Sequence, residues 1–176
     1  MSDKKEGMVL LYTGNGKGKS TAAFGQVMRA VGHGWRVCII QFIKANETTG
    51  EAKVFAELTD KIEFHIKGTG FIFKAGDREE VVKAAREAFN FARDKIMSGN
   101  YRMVILDEFT YLLTYGMVEW EDVKDLIEQR PADVHLVITG RSDNKQLMEA
   151  VDLVTEMKEI KHPYQSGGKA RKGIEF

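Results

Sequence analysis

Between Met8 and Thr21 the chain reads Met-Val-Leu-Leu-Tyr-Thr-Gly-Asn-Gly-Lys-Gly-Lys-Ser-Thr, and this stretch restricts the fold more than any other. An apolar run of strand length breaks into alternating glycines, Gly14, Gly16 and Gly18, and then into Lys19-Ser20 at the head of a helical pattern. A strand feeding a glycine-rich turn that opens a helix is the context of a phosphate-binding loop. Backbone N–H groups must converge there on anionic oxygens, and a Cβ would obstruct both left-handed backbone angles and the ligand. Lys19 then reaches the β and γ phosphates, the Ser20 hydroxyl coordinates Mg2+, and the helix beginning near Lys19 turns its positive end toward the same anion. Where the usual pattern has a further glycine this chain has Thr13, and Lys17 adds a cation, so the chemistry is that of the motif while the shape is free to differ. The plain alternative is a glycine-rich turn that binds nothing. A dinucleotide fingerprint fits worse, because its third glycine would fall on Lys19.

With 176 residues the simplest organisation is one domain, residues 1–176, large enough for a proper core. Lys plus Arg equals Asp plus Glu at 26 each, so no global field draws the chain to nucleic acid or to an acidic membrane surface. The single cysteine, Cys38, sits in the apolar run Val37 to Ile40 and has no internal disulfide partner, which fits a reducing compartment. No apolar stretch approaches the roughly eighteen residues of a membrane span, and the N-terminus is charged where a signal peptide would be apolar. The expectation is a soluble cytoplasmic protein.

Along the chain, helical spacing runs from Lys19 to Val31 and stops at Gly32-His33-Gly34, with His33 read as a helix-end residue. Arg36 to Phe42 is a continuous apolar strand of the kind covered on both faces. A short helix around Ala52 to Leu58 precedes an alternating strand, Ile62 to Ile66, on whose wetter face His65 is structural or at the surface. The segment Lys67 to Gly76 then carries Phe71 and Phe73 between glycines; these rings either fold back into the core or cover something flat and apolar. Asp77 to Met97 is the longest helix, with Asp77 as its candidate cap.

Met103 to Leu106 runs straight into Asp107 and Glu108. A buried strand that delivers carboxylates at its C-terminal edge places them where α/β sheets bind ligands, and one of them can hold Mg2+ directly or through water. A strand end with solvated acids is the alternative. Helical segments at Phe109 to Gly116 and Glu119 to Arg130 lead to a strand, Val134 to Ile138, which ends in Thr139-Gly140-Arg141. That hydroxyl, glycine and guanidinium suit a second phosphate or leaving-group contact, with a plain helix-opening loop as the rival. Ser142 to Ala150 is expected to be helical and Asp152 to Met157 a last strand, before a basic tail from Lys158. The fold class expected is α/β, P-loop NTPase-like (RecA-like), a mainly parallel sheet of five or six strands with helices on both faces.

Seven stretches occur in a fixed order: Thr13-Gly-Asn-Gly-Lys-Gly-Lys-Ser-Thr21, Gly32-His33-Gly34, Gln41-Phe42-Ile43-Lys44, Gly68-Thr-Gly-Phe-Ile-Phe73, Leu106-Asp107-Glu108, Val137-Ile-Thr-Gly-Arg141 and Lys161-His-Pro-Tyr164. In this combination the chain resembles the ATP:corrinoid adenosyltransferases of the CobA/BtuR/CobO type, over nearly everything from Gly7 to Phe176. The resemblance implies that a corrinoid cobalt, reduced to Co(I), attacks the 5′ carbon of ATP, so that adenosyl is transferred and triphosphate leaves. Asn15, Gly16, Lys17, Gly18, Lys19, Ser20 and Thr21 would then grip the triphosphate. Lys19, Glu108 and Arg141 would act on the leaving group, and Mg2+ or Mn2+ would be held by Ser20 and Glu108, with Asp107 as a further candidate. Co(I) is itself a strong nucleophile, so no general base is needed, in keeping with the lack of a Ser/His/Asp or Cys/His pattern.

Phe71 and Phe73 match the family's aromatic pair, which covers the corrin face and displaces its lower nitrogen ligand. Phe73 stands where tryptophan is usual, and a phenyl ring covers less area than an indole. The implied partners are ATP and corrinoid as substrates and an electron donor for cobalt, and a homodimer is implied by the resemblance alone. Family members often carry a longer N-terminal segment over the corrinoid; with so few residues before Met8, such a lid is expected to be missing or to come from elsewhere, such as a partner subunit. The chain has no Asp-x-His-x-x-Gly, the pattern by which other corrinoid proteins ligate cobalt, which favours a processing enzyme over a cofactor-using mutase. Two rivals stay open: a small-molecule kinase or NTPase that releases ADP, and a non-catalytic nucleotide-switched module.

Overall fold

Strand alternation decides the layering. In β2 (Val37–Gln41), Val37 and Ile39 enter one core while Cys38 and Ile40 enter the other, and every residue of the strand is buried. A strand apolar on both faces needs cover on both, and a parallel sheet supplies it through its crossover helices. The computed structural model describes residues 6–43, 49–58, 60–68 and 78–174. Around β2 the sheet is built from β1 (Val9–Thr13), β3 (Ile62–Ile66), β4 (Met103–Asp107), β5 (His135–Thr139) and β6 (Leu153–Glu156), in the order β3-β2-β4-β5-β1-β6. All of the neighbouring pairs are parallel.

On one face α1 (Lys19–Gly32) buries Ala23, Phe24, Val27 and Ala30, and α2 (Gly50–Glu57) adds Phe55, which meets Phe24 edge to face. The opposite face is covered by α3 (Arg78–Met97) and α5 (Trp120–Gln129), with Leu112 of α4 (Thr110–Thr114) and Leu147 of α6 (Lys145–Ala150) joining the same core. Because every strand runs the same way, Thr13, Gln41, Asp107, Thr139 and Glu156 all arrive at one edge of the sheet. That shared edge makes a site possible.

The expected strands and most helices fall where periodicity puts them. One boundary moves: helix was expected from Ser142, and α6 begins only at Lys145. Asn144 caps it, its side chain accepting from the backbone N–H of Leu147 at 2.9 Å, while Ser142 is held by both its N–H and its carbonyl to the Thr13 hydroxyl. The expected cap Asp77 and the rings of Phe71 and Phe73 lie outside the described residues.

Cys38 is fully buried, and its surroundings push the thiol up to about 12, first through burial and then through the nearby Glu63 carboxylate. Only the thiolate is nucleophilic, so the native protein should show no reaction with a thiol reagent at pH 8, and one equivalent should appear in denaturant. A thiol that reacts in the native state would contradict this packing.

At the outer part of the sheet Glu63 accepts hydrogen bonds from Lys95, Tyr101 and His65, the last at 2.7 Å. Burial opposes ionisation of this carboxyl, but the three donors outweigh it and bring it from 4.5 down to about 2. With the folded value below the unfolded one, the stabilisation is complete above pH 4.5 and is lost as pH falls toward 2. Glu63→Gln should therefore flatten the dependence of unfolding free energy on pH across that window, as measured by urea titration; an unchanged slope would remove Glu63 from the acid response.

Candidate nucleotide site

The loop after β1 is shaped by two different uses of glycine. Gly14 and Gly18 have φ of 96° and 116°, in the left-handed region that side chains avoid. Gly16 is needed for close approach: a Cβ there would lie 2.7 Å from the carbonyl oxygen of Met157. The Gly16 N–H donates to that same oxygen at 2.6 Å, and the Met157 N–H donates to the Thr13 carbonyl at 2.8 Å. The chain leaving β6 is thus laid against the loop and fixes its position.

Lys19, the first residue of α1, curls back so that its Nζ donates to the carbonyls of Gly14 at 2.8 Å and Gly16 at 2.7 Å. Burial lowers the pKa of this ammonium and Arg141 adds to the effect, while Glu108 and Asp107 oppose it. Two cations and two carboxylates thereby share one electrostatic neighbourhood. Lys17 is exposed, and its Nζ donates to the carbonyl of Ile174 at 2.6 Å. Gly18 precedes α1 as its left-handed N-cap, with Ser20 and Thr21 following Lys19 in the first turn.

A buried polar chain joins the ends of three adjacent strands. Asp107 is fully buried; one of its oxygens accepts from the Thr139 hydroxyl at 2.8 Å and the other from Gln41 Nε2 at 2.8 Å. The Thr139 oxygen in turn accepts from the Glu108 N–H at 2.8 Å. Glu108 has φ of 61°, and among the described residues it is the non-glycine residue with positive φ. Such a conformation costs of order 1–3 kcal/mol and is held only where neighbours over-determine it, which the Thr139 hydrogen bond and the buried Asp107 do here. The expectation that the Thr139 hydroxyl meets a phosphate is replaced: it is committed to Asp107 and Glu108 and positions them.

Beyond β5, Gly140 (φ 140°) packs so closely that a Cβ would sit 2.2 Å from the Thr110 hydroxyl. That hydroxyl donates to the carbonyl of Arg141 at 2.9 Å. Thr13, which replaces the usual glycine, donates to the Ser142 carbonyl and accepts from the Ser142 N–H, each at 3.0 Å. The departure from the motif therefore has a use: it ties the start of the phosphate loop to the segment that carries Arg141.

Asn15, Gly16, Lys17, Lys19 and Arg141 line a cleft of about 310 Å3 together with Glu159, His162 and Tyr164. The last three were missed as site residues. His162 and Tyr164 belong to the Lys161-His-Pro-Tyr164 stretch that helps carry the family resemblance, but no site role was read from it, and the pairing of β6 beside β1 brings that tail to the loop. An apolar groove of about 420 Å3 between α1 and α2 is larger, but it lacks convergent cations and is not this site. Asp107 and Glu108 lie within electrostatic reach of Lys19, whereas Phe71 and Phe73 are outside the described residues.

The donors at this edge suit a hard divalent cation. They are a hydroxyl and two carboxylates, and Gln41 Oε1 is a buried acceptor with no hydrogen-bond partner among the described residues. Among the described residues no group of three or more His, Cys, Asp or Glu side chains is arranged to hold a metal ion.

An all-parallel α/β sheet with a glycine-rich loop and lysine at the mouth of its first helix defines the P-loop NTPase-like class. Within that class the chain belongs to the family described as ATP:corrinoid adenosyltransferase BtuR/CobO/CobP, whose model matches residues 5–176. It is similar to proteins named corrinoid adenosyltransferase from Pseudomonas aeruginosa, 40% identical over 98% of this chain and 85% of the relative, and from Escherichia coli K12, 37% identical over 98% and 87%. It is also 34% identical to the corrinoid adenosyltransferase CobA of Salmonella typhimurium, over 99% of this chain and 88% of that one.

Proposed function

We propose that this chain transfers the 5′-deoxyadenosyl group of ATP to Co(I) of a corrinoid and releases triphosphate, in the biosynthesis or salvage of adenosylcobalamin. The observation that carries the reading is the convergence of Lys17, Lys19 and Arg141 with the loop backbone on one cleft at the strand ends. In this reaction the cobalt electron pair forms the Co–C5′ bond while the C5′–O bond breaks, and its electrons leave on the triphosphate. The protein's work lies where charge accumulates, on the leaving oxygens. Lys19, held over its loop by the carbonyls of Gly14 and Gly16, is already in place for it. Asn15 to Thr21 bind the polyphosphate through loop N–H groups and the start of α1.

Mg2+ or Mn2+, when bound, would neutralise part of that polyphosphate charge. Ser20 and Glu108 would hold it, with Asp107 acting through water because both its oxygens already accept hydrogen bonds. Phe71 and Phe73 are assigned to the corrin face on the family pattern. Phe71→Ala should lower corrinoid-dependent turnover by about tenfold, the loss of one stacked ring, and leave ATP affinity unchanged. An equal loss of ATP affinity would move this residue to the nucleotide side.

The chemistry demands an electron donor able to reach Co(I). A cytoplasmic location is supported by the lone buried thiol and by a described chain in which no helix is long and apolar enough to cross a membrane. The test is an anaerobic assay with ATP, Mg2+ and chemically reduced cobalamin that follows the Co–C chromophore. Chromophore should appear only when all three are present; vigorous ATP hydrolysis without it would favour a kinase or NTPase.

A further inference from the structure

The tail beyond β6 reaches the nucleotide cleft but has no part in the assignments above. Its approach is fixed by the sheet. β6 pairs in parallel with β1, so the chain leaves β6 beside the phosphate loop, where the backbone of Met157 and Lys158 fills the space a Cβ on Gly14 or Gly16 would need. Five residues past Met157, His162 opens a 3-10 turn, Pro163–Ser166, and caps it by accepting the Tyr164 N–H on Nδ1 at 3.1 Å. A ring that accepts on Nδ1 carries its neutral-form proton on Nε2. Nε2–H is then the remaining donor of a half-buried ring on the wall of a cleft shared with Asn15, Lys17, Lys19 and Arg141.

We propose that His162 is a further nucleotide-contacting residue, donating from Nε2 to the polyphosphate bound in this cleft. The class of ligand follows from the company it keeps: two lysines, an arginine, an asparagine and a tyrosine outweigh the single carboxylate of Glu159, which Gln165 already engages, and select an anion with several oxygens. Pro163 restricts the turn and the cap fixes the ring, so the donor is pre-oriented before ligand arrives. The tail thereby supplies Glu159, His162 and Tyr164 to the wall of the cleft. The proposal rests on the polyphosphate reading of the cleft given above.

The test uses the full chain and two substitutions with opposite chemistry. His162→Asn keeps an oxygen able to accept the Tyr164 N–H but removes the distal donor; His162→Gln restores a donor near the position of Nε2. Affinities for ATP and for inorganic tripolyphosphate, with Mg2+ and without corrinoid, are measured by calorimetry, beside the thermal midpoint. The expected result is roughly tenfold weaker binding of both ligands to His162→Asn with an unchanged midpoint, and substantial recovery of binding in His162→Gln, where loss of the cap acceptor lowers the midpoint alone. Wild-type affinity in His162→Asn would overturn the contact and leave His162 as a turn cap. Failure of the wild-type protein to bind tripolyphosphate would overturn the cleft assignment itself, and His162 with it. Tripolyphosphate binding that depends on His162, in a protein unable to adenosylate cobalamin, would uphold the contact and sink the transfer reaction alone.

Discussion

Lys19→Ala should lower adenosyl transfer by about 10²–10³-fold, the scale of losing one preorganised group that stabilises developing charge. The ammonium has two tasks at once. It bridges the carbonyls of Gly14 and Gly16, which keeps the loop closed on itself, and in the proposed reaction it would offset the negative charge gathering on the triphosphate. Rates measured across ATP concentrations separate them, since a loss confined to kcat belongs to the leaving group and a rise in KM to loop shape. The pH profile adds a signature. Burial and Arg141 lower this lysine's pKa, so the cation, and the rate that depends on it, should be lost on the alkaline side before an ordinary lysine would titrate at 10.5. An Ala variant with wild-type kcat would remove Lys19 from the chemistry.

Asp107→Ala should have the largest effect on stability, about 2–4 kcal/mol by urea denaturation, because it strands two buried donors, Gln41 Nε2 and the Thr139 hydroxyl. Its consequences reach the site through Glu108. The positive φ of Glu108 is held in part by its N–H bond to the Thr139 oxygen, and once Thr139 is freed from Asp107 that hold weakens. Transfer should therefore fall with stability, and Thr139→Val should reproduce much of the activity loss with a smaller cost in folding. A folded Asp107→Ala protein with full activity would show that the network supports the sheet and nothing more.

Much of this architecture was legible in the chain because local and global signals agree. Val37 to Ile40 could be placed as a doubly covered strand from its unbroken apolar run, and Lys19 from the glycines before it. Asp107 and Glu108 were legible as a pair, but not their division of labour: one becomes a buried hydrogen-bond hub, the other a strained residue beside the cleft, and only the neighbouring strands decide which. Thr13 and Thr139 illustrate the same limit. Each hydroxyl meets a partner more than thirty residues away in sequence, Ser142 and Asp107 respectively, so no window of sequence could assign it. His162 and Tyr164 were legible as part of the Lys161-His-Pro-Tyr164 stretch but not as cleft residues, because a polar tail carries no periodicity; the parallel register of β6 on β1 places them.

The claim at the centre is that ATP breaks at its C5′–O bond and not between phosphates. Phosphorus NMR of a single-turnover mixture with reduced cobalamin reads this directly. Intact tripolyphosphate should appear in one-to-one yield with the adenosylated corrinoid; ADP with orthophosphate, in proportion to turnover, would contradict the account.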